Sequence, residues 1–206
     1  MTAAGWVDRQ LRRRGIDDER VLAAMARVPR ELFVPEHARA HAYDDAALSI
    51  GHRQTISQPY VVACTCQALG LTGDERVLDV GTGSGYQAAV LSELAAEVVS
   101  IERVPELAAR ARESLAAAGY LDVDLRVGDG SAGVPDRAPF AAIAVGAAAR
   151  RPPPSLLEQL EPGGRLVAPV GGPGMQRLVL IERTAEGFAT RRLADVRFVP
   201  LVEGVR

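Results

Sequence analysis

Asp79-Val80-Gly81-Thr82-Gly83-Ser84-Gly85 places a carboxylate directly before three glycines at alternate positions, and Glu102 ends the next apolar run, Val98 to Ile101. Glycines at such a spacing let the backbone turn sharply and let a ligand lie against the main chain. A carboxylate at the tip of a second strand can accept both hydroxyls of a ribose. The unit is therefore read as nucleoside-binding. A pyrophosphate fingerprint is G-x-G-x-x-G, backed by the amides of a helix N-terminus. Here the third glycine arrives one residue early, and Asp79 would repel a pyrophosphate but suit a cation such as the amino group of a methionine moiety. These features point to S-adenosyl-L-methionine (AdoMet) rather than NAD, with Asp79, Gly81, Thr82, Gly83, Ser84, Gly85 and Glu102 as expected cofactor contacts. Asp129, in Gly128-Asp129-Gly130 after a third strand, could accept the adenine amino group. Each carboxylate has a plainer reading as a helix cap or turn former. Three of them at successive strand ends favour the site.

These residues need a scaffold of alternating strands and helices, and the pattern supplies one. Strands are expected at 76–80, 97–102, 123–127, 140–145 and 164–170, with helices at 86–95, 105–118 and 154–160 between them. Such alternation implies a doubly wound, mostly parallel α/β sheet with helices on both faces; joined to the AdoMet reading of the loop, the expected fold is Rossmann-like, of the class I AdoMet-dependent methyltransferase type. Pro162-Gly163-Gly164 is expected to break the chain before the last parallel strand. Residues 177–183 and 188–199, joined at Glu186-Gly187, read as a closing antiparallel hairpin. An N-terminal helical appendage precedes the core, with helices at 4–15 and 18–28 and Asp17 or Asp18 capping the second. Leu32-Phe33-Val34 and Leu48-Ser49-Ile50 read as short extended pieces, and Ser57 as the N-cap of a helix reaching about Leu69, with Pro59 in its first turn. The chain is expected to be one domain over 1–206, with 1–70 covering cofactor and substrate and 71–206 forming the core.

Composition excludes several classes. At 206 residues, with a formal charge of −2 and 48% hydrophobic residues, the chain is neither a general nucleic-acid binder nor a membrane-surface protein. No apolar run approaches the roughly 18 residues of a membrane span, and the N-terminus lacks a signal-peptide pattern, so a cytoplasmic location is expected. Cys64 and Cys66 are two apart on an expected helix and point apart, and His37, His41 and His52 have no ligand spacing. No metal site is expected, and the thiols are read as small apolar side chains.

At this level of detail the chain resembles the protein-L-isoaspartate (D-aspartate) O-methyltransferases over nearly its whole length. Val21-Leu22-Ala23-Ala24-Met25, Val28-Pro29-Arg30-Glu31 and Phe33-Val34-Pro35 are similar to that family's N-terminal segment. Gln54-Thr55-Ile56-Ser57-Gln58-Pro59-Tyr60 resembles its most distinctive motif. Leu78 to Ala89, Ser100-Ile101-Glu102-Arg103, Val127-Gly128-Asp129-Gly130, Leu160 to Val170 and Arg197-Phe198-Val199-Pro200-Leu201 complete the pattern. The resemblance implies methyl transfer from AdoMet to the free carboxylate of L-isoaspartyl residues in damaged proteins. The ester then cyclises to a succinimide that reopens partly to aspartate. It also implies that Ser57 is the catalytic serine, and that Thr55, Ile56, Ser57, Arg103 and Gly130 join the cofactor contacts. Isoaspartyl proteins and peptides would be the partners of a monomeric chain, with no nucleic acid and no membrane.

The chain departs from the family pattern at Arg53, where a small residue is usual, at Ala141, where Asp is usual, and at Arg150-Arg151, where Pro-Glu is usual. The arginines bear on substrate preference. Three alternatives stay open on the residues alone: a methyltransferase for one aspartate of a dedicated peptide, a non-catalytic AdoMet-binding module, and an NAD-binding oxidoreductase. Asp79 and the glycine spacing disfavour the last.

Overall fold

Arg76–Val80 forms β3, the middle of the five parallel strands, and its Val77, Leu78, Asp79 and Val80 are all wholly buried. A strand with both faces covered reads as a continuous apolar run. In the computed structural model, which describes residues 3–205, β3 pairs in parallel with β4 (Glu97–Glu102) on one side and β6 (Phe140–Val145) on the other. Beyond them lie β5 (Asp124–Val127) and β7 (Leu160–Val170), also parallel. β8 (Gln176–Thr184) and β9 (Gly187–Val196) close the sheet antiparallel, giving the order β5-β4-β3-β6-β7-β8-β9. The reversal of strand order between β3 and β6 is where such sheets open a crevice at their carboxyl ends.

Side-chain alternation along β3 sorts the core into two layers. Leu78 and Val80 pack with Val99, Ile143, Leu156 and Leu166 on one face, and Val77 packs with Tyr86, Leu91 and Leu107 on the other. The second layer holds α4 (Tyr86–Ser92), α5 (Pro105–Ala117) and α3 (Pro59–Leu69); the first holds α6 (Pro154–Glu158). The N-terminal helices α1 (Ala3–Gln10) and α2 (Glu19–Arg27) join the same core through Trp6, Leu22 and Met25. Asp18 caps α2, its Oδ1 accepting from the amides of Arg20 and Val21. The expected helix 4–15 divides instead at Gln10 into a 3₁₀ turn, Arg12–Arg14, stopped by left-handed Gly15.

Three further expectations change. Leu32-Phe33-Val34 is not an extended run: Arg30–Phe33 is a 3₁₀ turn. Residues three apart eclipse in that geometry, and here it sends both Arg30 and Phe33 into the core. Pro162-Gly163-Gly164 does not end a segment but forms an irregular bulge inside β7, where Phe140 faces Leu160 and Ala142 faces Arg165. β9 stops at Val196 rather than 199. There the amide of Phe198 turns to Gln176 Oε1 (2.9 Å), and the chain leaves the sheet to bond Ala148 through Val199 and Leu201. That detour carries the last residues to the crevice.

The segment before α3 is a small hairpin, β1 (Leu48–Gly51) with β2 (Gln54–Ile56). His52 and Arg53 turn it with φ of 51° and 60°, a left-handed pair that side chains adopt at some cost. Two arginines bind the hairpin to the body. Arg110 on α5 donates to Ile50 O (2.7 Å), and buried Arg30 donates to Ser57 O (2.7 Å).

Candidate active site

At the carboxyl ends of β3, β4 and β6 a cleft is walled by Val80, Gly81, Ile101, Glu102, Gly146 and Ala147, among others. Of the expected contacts, Thr55, Gly81, Gly83, Glu102, Arg103 and Gly130 line it. Thr55 comes from β2, so the hairpin forms one lip. Gly81 and Gly83 turn with φ of 89° and 57°, a backbone course that glycine follows freely. Gly81 and Gly146 approach closely, and a side chain on Gly146 would stand 3.2 Å from Gly81 O.

Glu102 is 95% buried, and each of its carboxylate oxygens takes one backbone amide: Gly83 N (2.9 Å) on Oε2 and Val104 N (3.0 Å) on Oε1. A carboxylate has about four acceptor positions. Two remain, the number a ribose diol needs, and they sit among apolar walls (Val80, Ile101, Leu201) suited to a purine ring. The residues present therefore fit a nucleoside cofactor.

Asp79 does not line the cleft. Alternation along β3 turns it to the face of Val77, beneath the glycine loop. It is wholly buried, accepting from Gln87 Nε2 and Ser100 Oγ, each at 2.8 Å. Because the Ser100 proton is committed to Asp79, Thr82 Oγ1 is the donor in its 2.6 Å bond to Ser100 Oγ. The four side chains tie the start of the loop to β4 and α4. Thr82, Ser84, Gly85, Ile56, Ser57 and Asp129 likewise stand outside the cleft wall. Gly85 begins α4 at a φ of 90°, and a side chain there would meet Leu115 at 3.2 Å.

Burial pushes the Asp79 carboxyl up to about 6, outweighing the bonds from Gln87 and Ser100. Between about pH 4 and 6 the folded chain holds a proton that the unfolded chain has lost. The associated stability is full below the unfolded value near 4 and is lost as pH rises through 6, roughly 3 kcal/mol in all. Relative to the parent, Asp79→Asn should gain about that much stability between pH 4 and pH 7 in urea unfolding; a parallel pair of pH curves would refute the assignment.

Asp129 holds the chain's own tail. Its Oδ1 accepts from Ser131 N (2.9 Å) and Ser131 Oγ (2.6 Å), and its Oδ2 from Gly204 N (2.6 Å). Burial alone would raise its pKa, but the Gly204 and Ser131 bonds hold it below the usual carboxylate range. Arg103 Nε donates to Gly204 O (3.1 Å), so Val199 to Gly204 lies along the cleft and across its β5 end. The open volume left is about 60 Å³, against roughly 300 Å³ or more for an ordinary small-molecule site.

Ser57 was expected as the N-cap of α3, but Gln58 occupies that position and makes no side-chain cap bond. Pro59, at the first helical position, has no amide to cap. The Ser57 hydroxyl is thereby left without a hydrogen-bond partner among the described residues, while its carbonyl is fixed by Arg30. The sequence gives no site role to Gly146, Ala147 or Val202, nor to Gln54 and Val199-Pro200-Leu201, which stand in the resembling motifs, yet all of them line the cleft. The carboxyl-end rule that selected Gly81 and Glu102 applies equally to Gly146, which directly follows β6.

A doubly wound sheet with a glycine loop after its central strand and a carboxylate at the tip of the next defines a Rossmann-like protein of the class I methyltransferase type. Residues 6–206 match the family model described as protein-L-isoaspartate(D-aspartate) O-methyltransferase (PCMT), and the chain belongs to that family. It is 55% identical over 195 residues to protein-L-isoaspartate O-methyltransferase 2 of Marinobacter nauticus, covering 94% of this chain and 89% of that one. It is 53% identical over 196 residues to the protein-L-isoaspartate O-methyltransferase of Methanoculleus marisnigri, covering 95% and 89%. A Plasmodium falciparum structure described as a protein of this family in complex with S-adenosyl-L-homocysteine superposes with a TM-score of 0.83 at 26% identity, covering 98% of this chain and 99% of that one.

Proposed function

We infer that this chain transfers a methyl group from AdoMet to the free carboxylate of L-isoaspartyl residues in damaged proteins, initiating their repair. The observation that carries the reading is Glu102, buried at the tip of β4 with two acceptor positions open, in a chain that matches the isoaspartyl methyltransferase family from residue 6 to residue 206. AdoMet, when bound, supplies an electrophilic methyl group on a sulfonium. The chain's residues bind, orient and desolvate.

Glu102 takes the ribose hydroxyls, and the Gly81–Gly83 turn admits the ligand against the backbone. Asp79, with Gln87, Ser100 and Thr82, holds that turn in place. No general base is required, because a substrate carboxylate with a reference pKa near ~4 is ionised at neutral pH. What remains is to aim one oxygen and exclude water from it. A neutral donor suits this better than a guanidinium, which would bind the oxygen too strongly to let it react. Ser57, with an uncommitted hydroxyl directly after a hairpin clamped by Arg30 and Arg110, is that donor. Thr55 stands two residues before it on β2, and residues 1–70 serve as the cover of the cleft.

In this reading Asp129 exchanges the Gly204 amide for the adenine amino group when AdoMet enters. Removing residues 204–206 should then tighten AdoMet binding several-fold, the worth of about one net hydrogen bond, in isothermal titration. Weaker binding would mean that the tail covers the cofactor instead of competing with it.

The reading is tested by methyl transfer from radiolabelled AdoMet to a short peptide with one L-isoaspartate, beside the same peptide with L-aspartate. Labelling of the first alone is expected. Labelling of neither, with AdoMet binding intact, would move the assignment to a dedicated peptide substrate or a non-catalytic module.

A further inference from the structure

A second, larger cavity of about 830 Å³ opens on the other side of the Val199–Leu201 segment, at the carboxyl ends of β6 and β7. It shares Pro200 and Leu201 with the nucleoside cleft. Its charged lining is Arg150, Arg151, Arg197 and a single acid, Glu203. Among the described residues none of the three arginines makes a hydrogen bond or ion pair, and all three are exposed.

The backbone beside each of these three residues is fixed. Arg150 and Arg151 follow Ala149, whose amide bonds Pro169 O (3.2 Å) and whose carbonyl takes the amide of Gly171 (2.9 Å). Arg197 lies between the end of β9 and Phe198, whose amide is held by Gln176. Three unpaired guanidinium groups are thus gathered around one hollow in a chain whose net charge is −2. Guanidinium forks match carboxylates in geometry as well as charge, and a concave wall concentrates their field.

We propose that this cavity is a docking subsite for acidic side chains flanking the modified residue, so that the enzyme prefers isoaspartyl sites in acidic segments. The inference rests on the isoaspartyl reading above and names its substrate class. The shared wall gives the reach: Pro200 and Leu201 border both hollows, so a peptide whose modified residue enters the cleft has neighbours a few residues along, at about 3.3 Å each, within reach of the arginine-lined hollow.

The test compares two isoaspartyl peptides, one flanked by alanines and one by glutamates two and three residues away on both sides. The glutamate peptide should show a KM roughly 5- to 20-fold lower at similar kcat, the yield of two or three partly screened ion pairs, and the advantage should shrink in high salt. It should vanish in Arg150→Ala/Arg151→Ala/Arg197→Ala, while KM for the alanine peptide moves less than twofold. Equal KM values for the two peptides, or a preference that survives the triple substitution, would overturn the proposal and leave the repair reading standing. If neither peptide is methylated, the repair reading falls, and anisotropy of a labelled glutamate-flanked peptide carrying ordinary aspartate decides the cavity alone. Salt-sensitive binding lost in the triple variant supports it, and absence of binding refutes it.

Discussion

Replacing Arg30 by alanine is expected to cost about 3–5 kcal/mol of folding stability, the largest loss foreseen for any single side chain here. Arg30 is wholly buried, donating from Nε to Ala42 O and from Nη2 to Ser57 O, each at 2.7 Å. Its guanidinium carbon stands 4.6 Å from the centre of the Tyr86 ring. Burial drives its pKa down, opposed by its interaction with Tyr86. Truncation would leave two carbonyls without their charged donor, empty a large volume beside Tyr86 and Phe33, and remove a cation held by the ring face. Because one of those carbonyls belongs to Ser57, the damage should extend to the active site. Arg30→Lys separates the effects: it keeps a charge but cannot span both carbonyls as a fork. Urea denaturation should therefore place Lys between arginine and alanine, with kcat depressed in both. A loss for alanine below about 1 kcal/mol, typical of an ordinary surface change, would show that Arg30 is not the brace described.

How far the sequence could be read followed the range of the interactions. β3, β4 and β6 were legible because strands buried on both faces are written as local apolar runs, and the glycines and Glu102 were legible because strand ends are where such sheets bind ligands. Asp18 as a cap was legible because its partners lie two and three residues away. Arg30 was not, since nothing near it in sequence marks an arginine for burial; its partners are 12 and 27 residues distant. Leu32-Phe33-Val34 reads as extended for the same reason: the 3₁₀ turn that takes in Leu32 and Phe33 is set by tertiary packing, which overrides local preference. Asp79 was identified, but the side of β3 it faces depends on which helix covers that side. Asp129 was placed at the right strand end, while its bond to Gly204 joins residues 75 apart. The role of Val199–Leu201 as a partition between two cavities comes from a pairing with Ala148 that no periodicity announces.

Ser57→Ala should lower kcat for an isoaspartyl peptide by roughly 10²-fold, the cost of a misplaced nucleophile, with AdoMet affinity changed by less than a few-fold. The asymmetry follows from position. Ser57 stands beside the cleft rather than on its wall, so the cofactor does not depend on it for binding. Its carbonyl bond to Arg30 uses the backbone and survives the substitution. Its hydroxyl caps no helix, since α3 begins at Pro59 behind Gln58, so stability should move by no more than about 0.5 kcal/mol, the ordinary effect of a change outside a structural role. In the proposed reading, what is removed is one neutral donor that aims the substrate carboxylate at the methyl group, a positioning contact with the substrate and not with the cofactor. Single-turnover methyl transfer beside titration calorimetry separates the two quantities. Ser57→Thr keeps the hydroxyl while adding a methyl group to a half-buried position, and should recover part of the rate if the hydroxyl is what matters. Unchanged turnover in the alanine variant would shift the donor role to Thr55, which lines the cleft on the same hairpin. Equal losses in turnover and AdoMet affinity would mean instead that the hairpin closes over the cofactor and that Ser57 acts by holding it shut.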